Sequence, residues 1–258
     1  MQMRSKSITV DLNCDLGESF GVYRIGQDQQ ILPFITSANI ACGFHAGDPQ
    51  TMNQTVAWAK HHHVQIGAHP SLPDLPGFGR RKMEISPEEI YHLVIYQLGS
   101  LAGFARIHNT KLHHVKPHGA LYNMSASDPA IAEAIAEAVY DFDANLILFG
   151  LAKSYSTQVA HQKGLRVAEE VFADRTYQAN GRLTPRTAPQ AIIKEADQAI
   201  AQVIQMLVTG TVTATNGETI SIQADTVCIH GDHIQALEFV KQLRAQLEQH
   251  HIDVQGIR

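Results

Sequence analysis

Along the chain, short runs rich in Ile, Val and Ala alternate with longer segments whose apolar residues recur at helical period. The short runs fall near residues 8–13, 37–42, 64–69, 112–118, 145–150, 166–172 and 226–231. This alternation is the signature of repeated βα units around a parallel sheet. Four helix starts carry a side-chain acceptor ahead of the first turn: Asp48-Pro49, Ser86-Pro87-Glu88-Glu89, Asp128-Pro129, and Thr187 followed by Gln190. Residues 211–222 place β-formers on both sides of Asn216-Gly217, which predicts a small hairpin. No linker divides the chain, so one domain over residues 1–258 is expected, with the hairpin as an excursion.

Seven evenly spaced βα units without a Gly-rich dinucleotide fingerprint favour a closed or nearly closed (β/α) barrel, TIM-barrel-like but one strand short, over a doubly wound sheet. Chemistry in such barrels sits where the strands end. The polar residues at those ends can therefore be tested as one constellation.

Composition narrows the function classes. At 258 residues, 44% hydrophobic and 17% charged, with a net charge of -5, the chain has no field for a polyanion, and nucleic acid is excluded as a partner. No stretch approaches the roughly 18 apolar residues of a membrane helix. Met1 to Ser7 is not followed by a signal-peptide core, and Cys14, Cys42 and Cys228 are too scattered for a disulfide framework, so a cytoplasmic protein is expected. Of fifteen histidines, His61, His62, His63, His250 and His251 end helix-like segments and read as solvated surface.

The strand ends carry the chemistry. On the first, Asp11 and Asn13 share a face by alternation; an inward acid there binds metal or orients substrate, or is held by neighbouring backbone. Asp15 and the loop residue Glu18 follow. Strand two leads to His45 between Gly43 and Gly47, and strand three ends at His69. Two histidines with neighbouring acids can hold a divalent cation, with Asp15, His45 and His69 as ligands, or can act through hydrogen bonds alone. On strand four, Lys116 and His118 share a face: the lysine can polarise a carbonyl or hold a phosphate, and the histidine can move protons near neutral pH. After strand six, Asp174, Arg175, Arg182 and Arg186 lie in a long polar loop that can clamp a carboxylate or phosphate or can carry its arginines simply as solvated surface. Strand seven brings Cys228, His230 and Asp232 onto one face, the cysteine as a packed hydrophobe and the other two as functional groups.

Six segments together, Asp11-Leu-Asn-Cys-Asp-Leu-Gly-Glu-Ser-Phe-Gly21, Ala38-Asn-Ile-Ala-Cys-Gly-Phe-His-Ala-Gly-Asp48, Gly67-Ala-His-Pro-Ser71, Lys116-Pro-His-Gly-Ala-Leu-Tyr122, Phe172-Ala-Asp-Arg175 and Ile229-His-Gly-Asp232, resemble the LamB/YcsF family over nearly the whole chain. The resemblance implies a barrel of the glycoside hydrolase/deacetylase type and a reaction turning 5-oxoproline, ATP and water into glutamate, ADP and phosphate. It also implies two partner subunits and Mg2+ accompanying ATP; self-association is left open. From their places at the strand ends, and not from the resemblance, Asp11, Asn13, Lys116, His118, His230 and Asp232 are expected to be catalytic. Glu18, His45, His69, Asp174 and Arg175 are expected to bind substrate. No Gly-x-x-x-x-Gly-Lys-Ser/Thr loop is present, so nucleotide contacts use another geometry or come from the partners. Two rivals stand beside this reading: a metal-dependent amide hydrolase acting alone, with Asp11 or Asp15, His45 and His69 as ligands, and a non-catalytic scaffold subunit.

Overall fold

A computed structural model describes residues 8–230 and 236–258. Strands β1 (Ile8–Leu16), β2 (Ser37–Ala41), β3 (Gln65–His69), β4 (His114–Val115), β5 (Ile147–Leu151) and β6 (Arg166–Phe172) pair in parallel in chain order. A two-stranded antiparallel excursion, β7 (Thr211–Thr213) with β8 (Thr219–Ser221), forms around Asn216-Gly217 as the turn chemistry predicts. After it, β9 (Thr226–Ile229) pairs with β6 and with residues 11–14 of β1, closing a seven-stranded barrel. One strand escapes the sequence pattern: β10 (Ile252–Val254) lies parallel to Ile8–Val10, on the part of β1 that precedes β9.

Helices α1 (Asp28–Ile31), α2 (Pro49–His61), α3 (Pro87–Ile107), α4 (Gly119–Ser127), α5 (Pro129–Phe142), α6 (Tyr155–Lys163), α7 (Ala196–Thr209) and α8 (Ala236–Gln249) connect the strands. Three predicted caps are present. Asp48 accepts from the Thr51 N–H, Ser86 and Glu89 form a reciprocal capping box, and Asp128 accepts from the Ala130 N–H. The fourth is not: no helix follows Thr187, and α7 begins only at Ala196. The carbonyls a helix would use there are taken across the loop, where Gln190 O accepts from Thr176 Oγ1 and Ala191 O accepts from the Thr176 N–H and Arg175 Nε.

Alternation along each strand divides the side chains between two environments. The outward residues, among them Leu12, Leu16, Ile40, Val115, Leu148 and Val227, belong to one large apolar core shared with the helices. The inward residues are mostly polar and stack in layers. At the bottom, Asp11 accepts from Thr226, Thr36 and Ser37. Above it, Asn13, Asn39 and His114 form a hydrogen-bonded set, the His114 ring lying flat on Phe149 at 4.1 Å. A Cβ on Gly67 would collide with that ring, so β3 needs glycine at this point. The third layer holds Asp15, Lys116, Glu170 and Cys228 just beneath the mouth.

Candidate active site

Above that layer a cavity of about 510 Å³ opens at the carboxyl ends of the strands. Asp15, Lys116 and His230 line its floor, Glu18, His69 and His118 one wall, and Arg182 and Arg186 the loop that covers it. β4 delivers two of these groups despite its short ladder: the Lys116 N–H donates to Ala68 O and the His118 N–H to Pro70 O, so the extended run continues past Pro117, which has no N–H to give.

Lys116 is 2% exposed, and its ammonium is already surrounded. Nζ lies 2.9 Å from Asp15 Oδ1, 2.8 Å from Glu170 Oε1, 3.0 Å from Asn13 Oδ1 and 3.0 Å from Cys228 Sγ. Burial alone would pull the amine down, but Asp15 leads its neighbours in raising it well above the ordinary lysine value. In turn, burial pushes the Asp15 carboxyl up, yet His69 and Lys116 hold it well below the usual carboxylate range. Cys228 is buried within the apolar cluster as expected, with its thiol pushed well up by burial, and its Sγ also accepts from the Lys116 ammonium.

The histidines form a second group. His69 Nε2 lies 3.2 Å from Asp15 Oδ2 and 2.9 Å from His118 Nδ1, and His45 Nε2 lies 3.1 Å from Glu18 Oε1. The rings of His45 and His118 stack at 3.8 Å. Burial first, and neighbouring histidines second, keep His45 and His118 well below the ordinary imidazole range, so both are neutral near pH 7.

On the opposite side, His230 Nδ1 donates to Asp174 at 2.9 Å and its Nε2 accepts from Arg186 Nη2 at 3.0 Å. Burial raises the Asp174 carboxyl, but His230, Arg186 and Arg175 bring it down to about 2. Arg175 supports the loop: it is 4% exposed and donates to Thr184 O and Ala191 O. It reaches the cavity as well, where burial and Arg186 lower its guanidinium to about 10.

The structure thus brings Asp15, Glu18, His69, Lys116, His118, Arg175 and His230 to the cavity. It places His45 behind the wall, fully buried, and Asp174 behind His230. Asp11 and Asn13, expected among the catalytic groups, lie below the cavity; Asp11 is held by three hydroxyls, and burial pushes its carboxyl up. The strand continues to Leu16 instead of ending near residue 13, and four residues at ~3.3 Å each put Asp11 about 13 Å beneath Asp15. Asp232 lies outside the described residues. Glu170 was not among the expected groups, because two adjacent glutamates on β6 leave its facing ambiguous; parity with Phe172 and Ala168 identifies it as the inward one.

Comparison with known proteins agrees with this architecture. Residues 10–258 match the LamB/YcsF family. The chain is 58% identical over 247 residues to a Bordetella parapertussis protein named as the A subunit of 5-oxoprolinase, covering 96% of this chain and 98% of that one. It is 57% identical over 248 residues to a Bacillus subtilis protein of the same name, covering 96% of both. The crystal structure of a lactam utilization protein from Thermus thermophilus superposes with a TM-score of 0.91 at 44% identity, over 96% of this chain and 100% of that one. A T48 deacetylase shares the fold at a TM-score of 0.50 and 12% identity, over 96% of this chain and 87% of that one. With matched family residues running from the first barrel strand to the last residue, and a barrel shared with the lactam utilization protein, the chain belongs to the LamB/YcsF family.

Proposed function

We propose that this chain is the A subunit of an ATP-dependent 5-oxoprolinase, which opens 5-oxo-L-proline to L-glutamate while ATP is hydrolysed, in a complex with two other subunits. The observation that carries the reading is identity above one half, over nearly the full length of both chains, with proteins named for that subunit. The cavity suits the substrate: its arginines offer charge-assisted hydrogen bonds to a carboxylate, and His230, held by Asp174, offers proton transfer. A scaffold role would leave no reason for such a cavity.

The chemistry explains the need for ATP. An unstrained five-membered lactam holds its amine and carboxylate at high effective concentration, so ring closure competes strongly with hydrolysis. Transfer of the γ-phosphoryl group to the lactam oxygen makes a better electrophile; one water then adds to that carbon, the C–N bond breaks and the ring nitrogen gains a proton, leaving an acyl phosphate that a second water cleaves to the free carboxylate and phosphate. In this chain Arg182 and Arg186 would receive the substrate carboxylate. His230, oriented by Asp174, would take the proton from water once Arg186 turns to the substrate. The same ring, protonated in that step, would return the proton to the leaving nitrogen. Lys116 would present positive charge at the cavity floor, with Asp15 and Glu170 fixing its position. Mg2+ would enter with ATP, and consumption of ATP suits a cytoplasmic location.

The test is to follow glutamate and ADP release from the isolated chain and from the complex reconstituted with its two partners. Coupled turnover only in the complex is expected. Equal ATP-coupled turnover by the isolated chain would remove the partner requirement, and absence of 5-oxoproline opening by the complex would refute the assignment.

A further inference from the structure

Two of the cavity's histidines, His69 and His118, pose a problem of protons. His69 Nδ1 lies 2.6 Å from the Lys116 carbonyl and His118 Nε2 lies 2.9 Å from the Phe78 carbonyl. A carbonyl only accepts, so each of these nitrogens carries its ring's hydrogen. A neutral imidazole has one such hydrogen. With no further proton on either ring, His69 Nε2 and His118 Nδ1 present lone pairs to each other at 2.9 Å. Asp15 Oδ2 at 3.2 Å from His69 Nε2 and Glu18 Oε1 at 3.8 Å from His118 Nδ1 add further acceptors to the same spot. Lone pairs gathered this way in a buried place require a cation between them, either a shared proton or a metal ion, and the number of converging acceptors favours the ion.

We propose that Glu18, His45, His69 and His118 form a binding site for a divalent transition metal of the zinc type, with Asp15 beside it. One ligand atom from each of the four residues lies within 4.8 Å of all the others, the span expected when bonds of about 2.0–2.2 Å radiate from one centre. All four residues are buried. The two carbonyls on His69 and His118 are the outer partners that fix the tautomer of a ligating imidazole and aim its free nitrogen. The backbone is bent to supply one of them: Phe78, whose carbonyl holds His118, has φ of 55°, a left-handed conformation that is costly for an aromatic residue.

Three imidazoles and a carboxylate favour Zn2+, Co2+ or a similar ion over Mg2+, which prefers oxygen ligands and keeps its waters. The site therefore differs in kind from one that receives Mg2+ with a nucleotide. Glu18, His69 and His118 also line the cavity, so a bound ion would be reachable from it. The inference rests on ligand geometry alone and stands or falls separately from the identity of the substrate.

The experiment uses the full chain, stripped with a chelator and titrated with Co2+ without any substrate or nucleotide. The expected result is one equivalent bound, a visible absorption band of low-symmetry Co2+, displacement by Zn2+ and no displacement by millimolar Mg2+. His69→Ala/His118→Ala should abolish the band. Glu18→Gln, which keeps shape and removes charge, should weaken Co2+ by at least the roughly tenfold typical of losing even an outer partner. Circular dichroism and thermal unfolding establish that each variant is folded. A stripped wild-type chain with no saturable Co2+ or Zn2+ binding overturns the proposal, as does wild-type affinity in folded Glu18→Gln. An imidazolium proton shared between His69 and His118 in the metal-exposed protein, seen by 15N NMR, overturns it as well.

Discussion

Lys116→Met tests whether the ammonium under the cavity is a structural keystone as well as a catalytic group. The substitution keeps most of the side-chain volume and removes the cation that lies 2.9 Å from Asp15 and 2.8 Å from Glu170. Glu170 is fully buried, so its carboxylate must then either ionise without a counter-charge or take up a proton. Breaking a buried pair from one side costs about 3–5 kcal/mol. With a urea dependence near 3 kcal/mol per molar, the unfolding midpoint should fall by about 1–2 M. Adding Glu170→Gln removes the orphaned charge, and the double variant should recover about 1–3 kcal/mol relative to the sum of the singles. Urea unfolding of wild type, both singles and the double, followed by circular dichroism, gives the coupling directly. A Lys116→Met midpoint within about 0.5 kcal/mol of wild type would refute the reasoning and leave the ammonium free to serve only a ligand. The expectation also means that lost turnover in Lys116 variants has to be read against their stability.

Gly67→Ala should cost well above the ~1–3 kcal/mol of ordinary overpacking, because the new methyl collides with the His114 ring, itself sandwiched against Phe149; an unchanged melting temperature would show that the ring can move. Burial, ahead of His113 and Lys116, holds His114 well below the usual imidazole range. The unfolded ring takes up a proton near pH 6.5 while the folded one does not, so its contribution is present above that pH and is lost at about 1.4 kcal/mol per unit as pH falls below it. His114→Gln should flatten the slope of unfolding free energy against pH by about 1 kcal/mol between pH 6.5 and 5.5, where the unfolded ring goes from half to mostly protonated, and an unchanged slope would contradict the buried neutral ring. In the reconstituted complex, Arg186→Gln should raise KM for 5-oxoproline about 10- to 100-fold, the worth of a charge-assisted hydrogen bond of roughly 1.5–3 kcal/mol; an unaltered KM removes Arg186 from carboxylate binding.

Much of the barrel could be read from local pattern. The seven strands follow from apolar runs, and three helix starts follow from Asp48, Ser86 and Asp128, because those signals act within a few residues. His69, Lys116, His118 and His230 reach the cavity because strand-end position and parity are also local. Depth is not local. Asp11 shares its parity with Asp15 but sits two layers lower, and only the register of β1 against β2 and β9 reveals it. The false helix start at Thr187 has a similar origin, since the carbonyls of Thr184, Gln190 and Ala191 are claimed by Arg175 and Thr176. The strand β10 is three residues long, too short for any periodicity to mark it.

The closure of the barrel also sets an order of events during synthesis. One edge of β1 can be covered by β2 soon after both leave the ribosome, since Asn13 and Ser37 are 24 residues apart. The other edge waits for Thr226 opposite Asp11 and for Ile252 opposite Ile8, so it stays open until synthesis has passed those residues. Pairing between such distant segments is slow because a long loop must close before any contact rewards it. Throughout that interval the nascent chain carries a bare parallel edge and an incomplete, strongly polar lumen, the kind of template on which chains pair with one another. Yield in cells should therefore depend on chaperone supply and translation rate more than the finished barrel's stability would suggest.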